Sequence, residues 1–499
     1  MPSKPTTRWQ ISGYRFLVRR MEHALVRRDV RMLHDPMRSQ SRAYTVGLVI
    51  GAVVLAGCGV LALLRPQGTI GDNKILLGKD SGAVYAVIDG VVHPALNLAS
   101  ARLAVGAPDK AVSIKESELA KKPRGPLIGI PGAPASLNFG TDGKSRTWTV
   151  CDELRNDGSN ALTNTVIAGP PTLGDRATTL DKGKALLVQG REATYLIYDD
   201  QRARVDMNTR AVVDALRIRG FTPRPISEGL LNAIPEVLPI VAPKIADPGG
   251  VPTKPVAGHR NGDVVFLATE NQNYVVLRDG LQPISPLTAD IIRNSNPATT
   301  ADAQITGFDR SNTNVVDQLA VSKYPDAAPE IVDAKDQPVS CLSWKPLTGG
   351  DKADNSRHAD LSVLTGHALP IPDNALPTRL AQADATDHGA AQFYSTPGSG
   401  IFVQTTGIEP DSARRDSLFF IADTGVRFGI KDAEAGKALG MDAEHAKPES
   451  APWPIVGLLA AGPALGRQEA MVAHDGVAPD PNPARQLVKS RQDTPTAPN

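Results

Sequence analysis

Three glycine-lysine pairs are the residues most readily read as chemistry. Gly143-Lys144-Ser145 supplies the second half of a phosphate loop, in which backbone amides cradle phosphate and the lysine neutralises it. Asn138 stands where the first glycine of that loop belongs. The chain then runs into Arg146-Thr147-Trp148-Thr149-Val150-Cys151, a strand pattern, so the helix N-terminus that normally faces the phosphate is missing. The segment reads as a β-turn. Gly183-Lys184-Ala185 and Gly436-Lys437-Ala438 lack even the hydroxyl. The nine histidines are scattered, with no spacing of His or Cys that suits a metal, and no Gly-x-Ser-x-Gly marks a nucleophile elbow. No catalytic, cofactor-binding or metal-binding residue is assigned, and the expected cofactor is none, with ATP the alternative. Nucleic acid is not expected as a partner, because the bulk of the chain has no basic patch.

The remaining reactive groups are Cys58, Cys151 and Cys341. Their meaning depends on the elements that hold them. The net charge of +1 conceals a division. Residues 1–42 carry ten Lys and Arg against three Asp and Glu, or +7, which leaves −6 for the rest. Residues 43–64 contain no charge at all. As a helix, 22 residues extend about 33 Å, enough to cross a bilayer core of about 30 Å. The positive-inside rule puts residues 1–42 in the cytoplasm and the bulk outside. Leu55-Ala56-Gly57-Cys58 resembles a lipoprotein cleavage box, but the basic segment before it is too long for a signal peptide. Cys58 therefore reads as part of the span. On the oxidising side of the membrane Cys151 and Cys341 are expected to form a disulfide that closes a long loop of the unfolded chain.

Within the basic segment Tyr14, Leu17, Met21 and Leu25 recur at helical spacing, with arginines filling much of the rest. One helix has no core of its own. Its apolar stripe is expected to dock on a partner protein, with an anionic lipid surface as the competing reading and a plain solvated helix as the bland one.

Outside the membrane, 44 Gly and 41 Pro with only 4% aromatics favour small modules over one dense core. Two short apolar runs and an aspartate recur four times, around Tyr85, Tyr195, Tyr274 and Phe428, and each reads as a β-hairpin. Helical patterns follow the first three. The two long intervals hold strand patterns around Cys151 and Cys341, each with a tryptophan within three residues. With Gly400-Ile401-Phe402-Val403-Gln404-Thr405 these are expected to make a central β core. The chain divides into a cytoplasmic arm (1–42), a transmembrane helix (43–64), a first repeat (65–135) and a core segment with Cys151 (136–170). Second and third repeats (171–335), a core segment with Cys341 (336–410), a fourth repeat (411–475) and a disordered Pro-rich tail (476–499) complete it.

The opening Arg8-Trp9-Gln10-Ile11-Ser12-Gly13-Tyr14-Arg15-Phe16, continuing Arg19-Arg20-Met21-Glu22-His23-Ala24-Leu25, resembles the EccB family of type VII (ESX) secretion systems. The resemblance extends in order through the span, the hairpins, both outer cysteines and the Pro-rich end. It implies a single-pass membrane protein whose α+β extracytoplasmic region sets small β-hairpin/helix repeats around a disulfide-stapled β core. Cys151 and Cys341 would be the family disulfide. It also implies assembly with the C, D and E membrane components, contact of residues 1–42 with them, and association of outer domains between copies. Some family members are described as ATPases, and the incomplete phosphate loop departs from that. The expected function is a structural component of the secretion complex. ATP hydrolysis and cell-wall binding are the alternatives.

Overall fold

The computed structural model describes residues 7–31, 36–64, 70–138, 146–155, 157, 159, 161–256, 258–296, 303–347, 357–384, 389–441 and 446–477. The chain forms two compact units, Met1–Gly71 and Asp72–Asn499.

The described residues of the first unit form two helices. Helix α1 (Arg8–Arg27) opens where Gln10 Oε1 accepts the Thr7 amide at 3.0 Å, and ends at Arg28 in the left-handed region. Helix α2 (Pro36–Leu64) starts on a proline, whose missing N–H costs nothing in the first turn. Its stretch Gln40–Leu61 is long and apolar enough to cross a membrane, by length and composition.

The described residues of the second unit form five sheets, four of which share one connectivity. In the first, strands Ile75–Gly78, Val84–Ile88 and Val91–Ala95 are antiparallel. Helix α3 (Leu98–Val105) then crosses back, and Val112–Ile114 pairs in parallel with the opening strand. A short helix α4 (Glu116–Leu119) leads to Leu127–Ile128, parallel to the third strand. The second sheet repeats this with Lys184–Gln189, Thr194–Tyr198 and Gln201–Val205, α5 (Arg210–Ala215), Arg224–Pro225, α6 (Glu228–Ala233) and Glu236–Ile240. The third uses Val264–Leu267, Gln272–Leu277 and Gly280–Ile284, α7 (Pro286–Ser295), Ala303–Gln304 and α8 (Gly307–Asn312), closing with a single bridge from Val315 to Leu281. The fourth uses Ile401–Thr406, Leu418–Ile421 and Val426–Ile430, α9 (Ala433–Leu439), Glu449–Pro452, α10 (Trp453–Val456) and Ala460–Ala461. Parallel pairing demands a crossover, which is why a helix precedes each returning strand.

The local chemistry supports these elements. Asp89 and Gly90 both have positive φ and form the tight turn of the first hairpin. Asn97, Ser285 and Asp432 accept the Ser100, Thr288 and Ala435 amides and so cap α3, α7 and α9.

The fifth, central sheet runs in the order Thr378–Arg379, Gln392–Tyr394, Leu162–Ala168, Trp148–Leu154, Val339–Pro346, Ala359–Gly366 and Ala177–Thr179. Strand pairing corrects four expected placements. The strand Ile401–Thr406, assigned to the core segment 336–410, opens the fourth sheet instead. The hairpin read around Phe428 is accordingly its second and third strands, and Asp432 caps a helix rather than making a turn. The cause is an eleven-residue connection, residues 407–417, between the first two strands, which separates runs that adjoin closely in the other three sheets. Ala177–Thr179, placed with the repeats, joins the central sheet, and Ala473–His474 adds to the first sheet beside Leu127–Ile128.

Burial shows how the sheets stack. Leu186, Val188 and Ile197 of the second sheet meet Trp148, Val150, Leu342 and Trp344 of the central sheet. The alternate residues Ala185, Leu187 and Leu196 meet Val264 and Val275 of the third sheet and Ile291 of α7. A strand buried on both faces must be apolar throughout, as Ala185 to Val188 is. The fourth sheet does the same. Val403, Phe419 and Ile421 face the central core, while Phe402, Phe420 and Phe428 pack with Ile75, Ala86 and Leu103 of the first. Core sharing thus runs third, second, central, fourth, first. Helices α5 and α7 pack together in one outer pair, α3 and α9 in the other.

Candidate functional site

Cys151 and Cys341 are direct partners on neighbouring antiparallel strands and form a disulfide, with both side chains buried. The bond stitches together strands 190 residues apart in sequence. Side chains alternate along a strand, so the cysteines face Ile167, Val339 and Leu364 while Trp148 and Trp344, themselves cross-strand partners, fill the opposite face.

The next residue, Asp152, builds a polar joint that the sequence did not signal. Its carboxylate is buried and accepts the Ser227 amide and hydroxyl, each at 2.7 Å, and the Asn164 side-chain amide at 2.9 Å. Ser227 in turn accepts the Leu230 amide and caps α6. One carboxylate therefore locks the central sheet to the module of the second sheet. Burial pushes the Asp152 carboxyl above its usual range, opposed by the hydrogen bonds from Ser227. Nearby, Arg224 donates to the carbonyls of Gln337 and Pro338 at 2.8 and 2.7 Å, and burial lowers its guanidinium to about 10. A cleft of about 810 Å³ beside it is lined by Leu154, Leu187, Phe221, Pro223, Val332 and Lys335 among others. Its lining is mixed, since Arg155, Thr222 and Asp333 stand among the apolar residues.

Each of the four small sheets also carries an aromatic under an arginine. Arg124 lies over Tyr85, Arg202 over Tyr195, Arg310 over Tyr274 and Arg427 over Phe419, with 5.1–5.9 Å from guanidinium to ring centre. Phe419 rather than Phe428 is the fourth aromatic in register. It lies opposite Val403, as Tyr85 lies opposite Leu76.

The arm residues Tyr14, Leu17, Met21 and Leu25 are all exposed on α1, at 57–82%. Gly143-Lys144-Ser145 lies outside the described residues. Gly183 occupies a turn that leads into a strand, and the Lys184 ammonium pairs with Asp181 at 2.9 Å. Lys437 sits in the last turn of α9. Among the described residues no three His, Cys, Asp or Glu side chains come together as a metal site.

Among the described residues one helix is long and apolar enough to span a membrane, with an arginine-rich helix ahead of it and a disulfide-closed stack of small α+β modules beyond, the plan of a membrane-anchored assembly component. The model of the family described as type VII secretion system ESX-1, transport TM domain B, matches residues 3–479, and the chain belongs to this family, EccB. It is 41% identical over 494 residues to the ESX-3 secretion system ATPase EccB3 of Mycolicibacterium smegmatis, covering 96% of this chain and 93% of the relative. It is 38% identical over 490 residues to the ESX-2 secretion system ATPase EccB2 of Mycobacterium tuberculosis, covering 96% and 97%. Among solved structures it resembles a chain of the intact ESX-5 inner membrane complex, with a TM-score of 0.73, 33% identity and coverage of 98% and 99%. It also resembles the EccB3 dimer from the ESX-3 core complex, with a TM-score of 0.69, 36% identity and coverage of 80% and 100%.

Proposed function

We propose that the protein is a structural component of a type VII (ESX) secretion inner-membrane complex. The helix Pro36–Leu64 anchors it, and the module stack forms part of the assembly on the outer side. The observation that carries this reading is the match over nearly the whole chain to a subunit of an intact ESX inner membrane complex. A second solved assembly, described as periplasmic, matches 84% of this chain, which supports placing the stack outside. The +7 segment before the span favours a cytoplasmic N-terminus. The common connectivity of the four small sheets supports their origin as repeats of one module.

On this reading a second copy and the C, D and E components are the partners. The dimer formed by an EccB3 relative supports the first of these. The exposed apolar side of α1, with Tyr14, Leu17, Met21 and Leu25, takes one of the other components. Purification of the tagged full chain from membranes in gentle detergent tests the reading, and recovery of the protein alone would overturn it.

The relatives' names favour one other reading, an ATPase. The purified full chain should then hydrolyse nucleotide, and Lys144→Ala should abolish that activity.

A further inference from the structure

Helix α1 divides its residues more sharply than an ordinary amphipathic helix. At 100° per residue, Arg15, Arg8, Arg19, Phe16, Trp9 and Arg20 fall on one arc of about 140°. These six side chains are exposed, Trp9 at 88% and Phe16 at 55%, and the same arc also holds Ser12, the exposed Val26 and the buried His23. The facing arc holds Leu17, Met21, Tyr14, Leu25, Val18 and Ile11, with no basic residue among them. Glu22, the one acid of the helix, lies at the far edge of that apolar arc. Two unlike surfaces lie back to back.

We propose that the basic aromatic arc docks on the anionic phosphate surface of the membrane leaflet on its own side, leaving the apolar arc free for protein. The argument is charge complementarity. Guanidinium groups bind phosphate through paired, charge-assisted hydrogen bonds, and Trp and Phe seat well at the headgroup boundary. Placing the apolar arc in the bilayer instead would turn Trp9 and Phe16 to solvent and leave no apolar surface for protein. Only eight residues, 28–35, separate α1 from α2. At a reach of about 3.5 Å per residue, α1 cannot lie more than about 30 Å from the start of that helix. The tether makes docking effectively intramolecular, so a weak surface affinity is sufficient.

The inference rests on α2 spanning the membrane, and the test keeps the two apart. The full chain is placed in nanodiscs of phosphatidylcholine alone or of an equimolar mixture with phosphatidylglycerol, each with a fraction of brominated lipid. The emission of Trp9 is taken by difference from Trp9→Phe, which leaves Trp148, Trp344 and Trp453. Failure to enter discs overturns the anchor itself. Given entry, Trp9 should be quenched in the anionic discs and several-fold less in the neutral ones. Arg19→Gln with Arg20→Gln should weaken docking by roughly fivefold per arginine removed, and added salt should act the same way. Equal quenching of Trp9 in both discs would overturn the proposal. So would quenching of a Leu17→Trp reporter that is indifferent to lipid charge, or quenching of Trp9 that appears only once other complex components are added.

Discussion

Ser227 gives both its amide and its hydroxyl to the buried carboxylate of Asp152 while capping the helix Glu228–Ala233. The residue beside the disulfide is thus also the residue that holds the second module. Asp152→Ala would leave buried donors on Ser227 and Asn164 unanswered. It should destabilise the outer region by about 3 kcal/mol or more. Chemical denaturation of the purified protein checks the magnitude. Hydrogen exchange at the Leu230 amide should rise before that of the central strands.

Removal of the Cys151–Cys341 bond acts mainly on the unfolded chain. The bridged residues are 190 apart, so Cys151→Ser with Cys341→Ser should cost about 5 kcal/mol on the loop-entropy account. The relevant comparison is the midpoint of denaturation with and without reductant. The double variant should be insensitive to reductant, whereas the parent should fall to its level once reduced.

Acid should open one hairpin locally. Glu116 accepts the Asp80 and Ser81 amides and the Ser81 hydroxyl, and the Ser81 amide, followed by the Ser81 hydroxyl and the Asp80 side chain, holds its carboxyl down at about 2. A folded value depressed below 4.5 contributes stability that is present above that pH and lost as pH falls toward 2. Asp152 has the opposite sign. Its raised carboxyl contributes stability that is fully present below 3.8 and lost as pH rises through the folded value. Exchange of the Ser81 amide should therefore quicken between pH 4.5 and 2 beyond the intrinsic rate. In Glu116→Gln it should already be fast at neutral pH, with no such step.

Much of this architecture was legible in the sequence because it follows local periodicity. The charge-free run at residues 43–64 lies within the helix Pro36–Leu64, and all four hairpins fall where alternation and turn residues put them, the fourth as the second and third strands of its sheet. The short parallel strands were not legible, since Arg224–Pro225 or Ala303–Gln304 carries too few residues for any period to show. The strand Ile401–Thr406 was visible as a strand but not as part of the fourth sheet, because sheet membership is set by pairing across residues 407–417. Asp152 follows Cys151 in a strand where a polar residue is unremarkable. Only the arrival of Ser227, 75 residues later, makes it a joint. The order of stacking was equally hidden. Both faces of the second and fourth sheets are apolar, and nothing local says which neighbour each face meets.

The central claim is that this chain is built into an ESX membrane complex as a structural part. The most direct measurement is native-mass analysis of the affinity-tagged full chain, extracted from its own membranes in gentle detergent. The account predicts recovery in a large assembly with the other membrane components in fixed ratio. Recovery of the chain by itself, folded and disulfide-bonded but without those components, would contradict it.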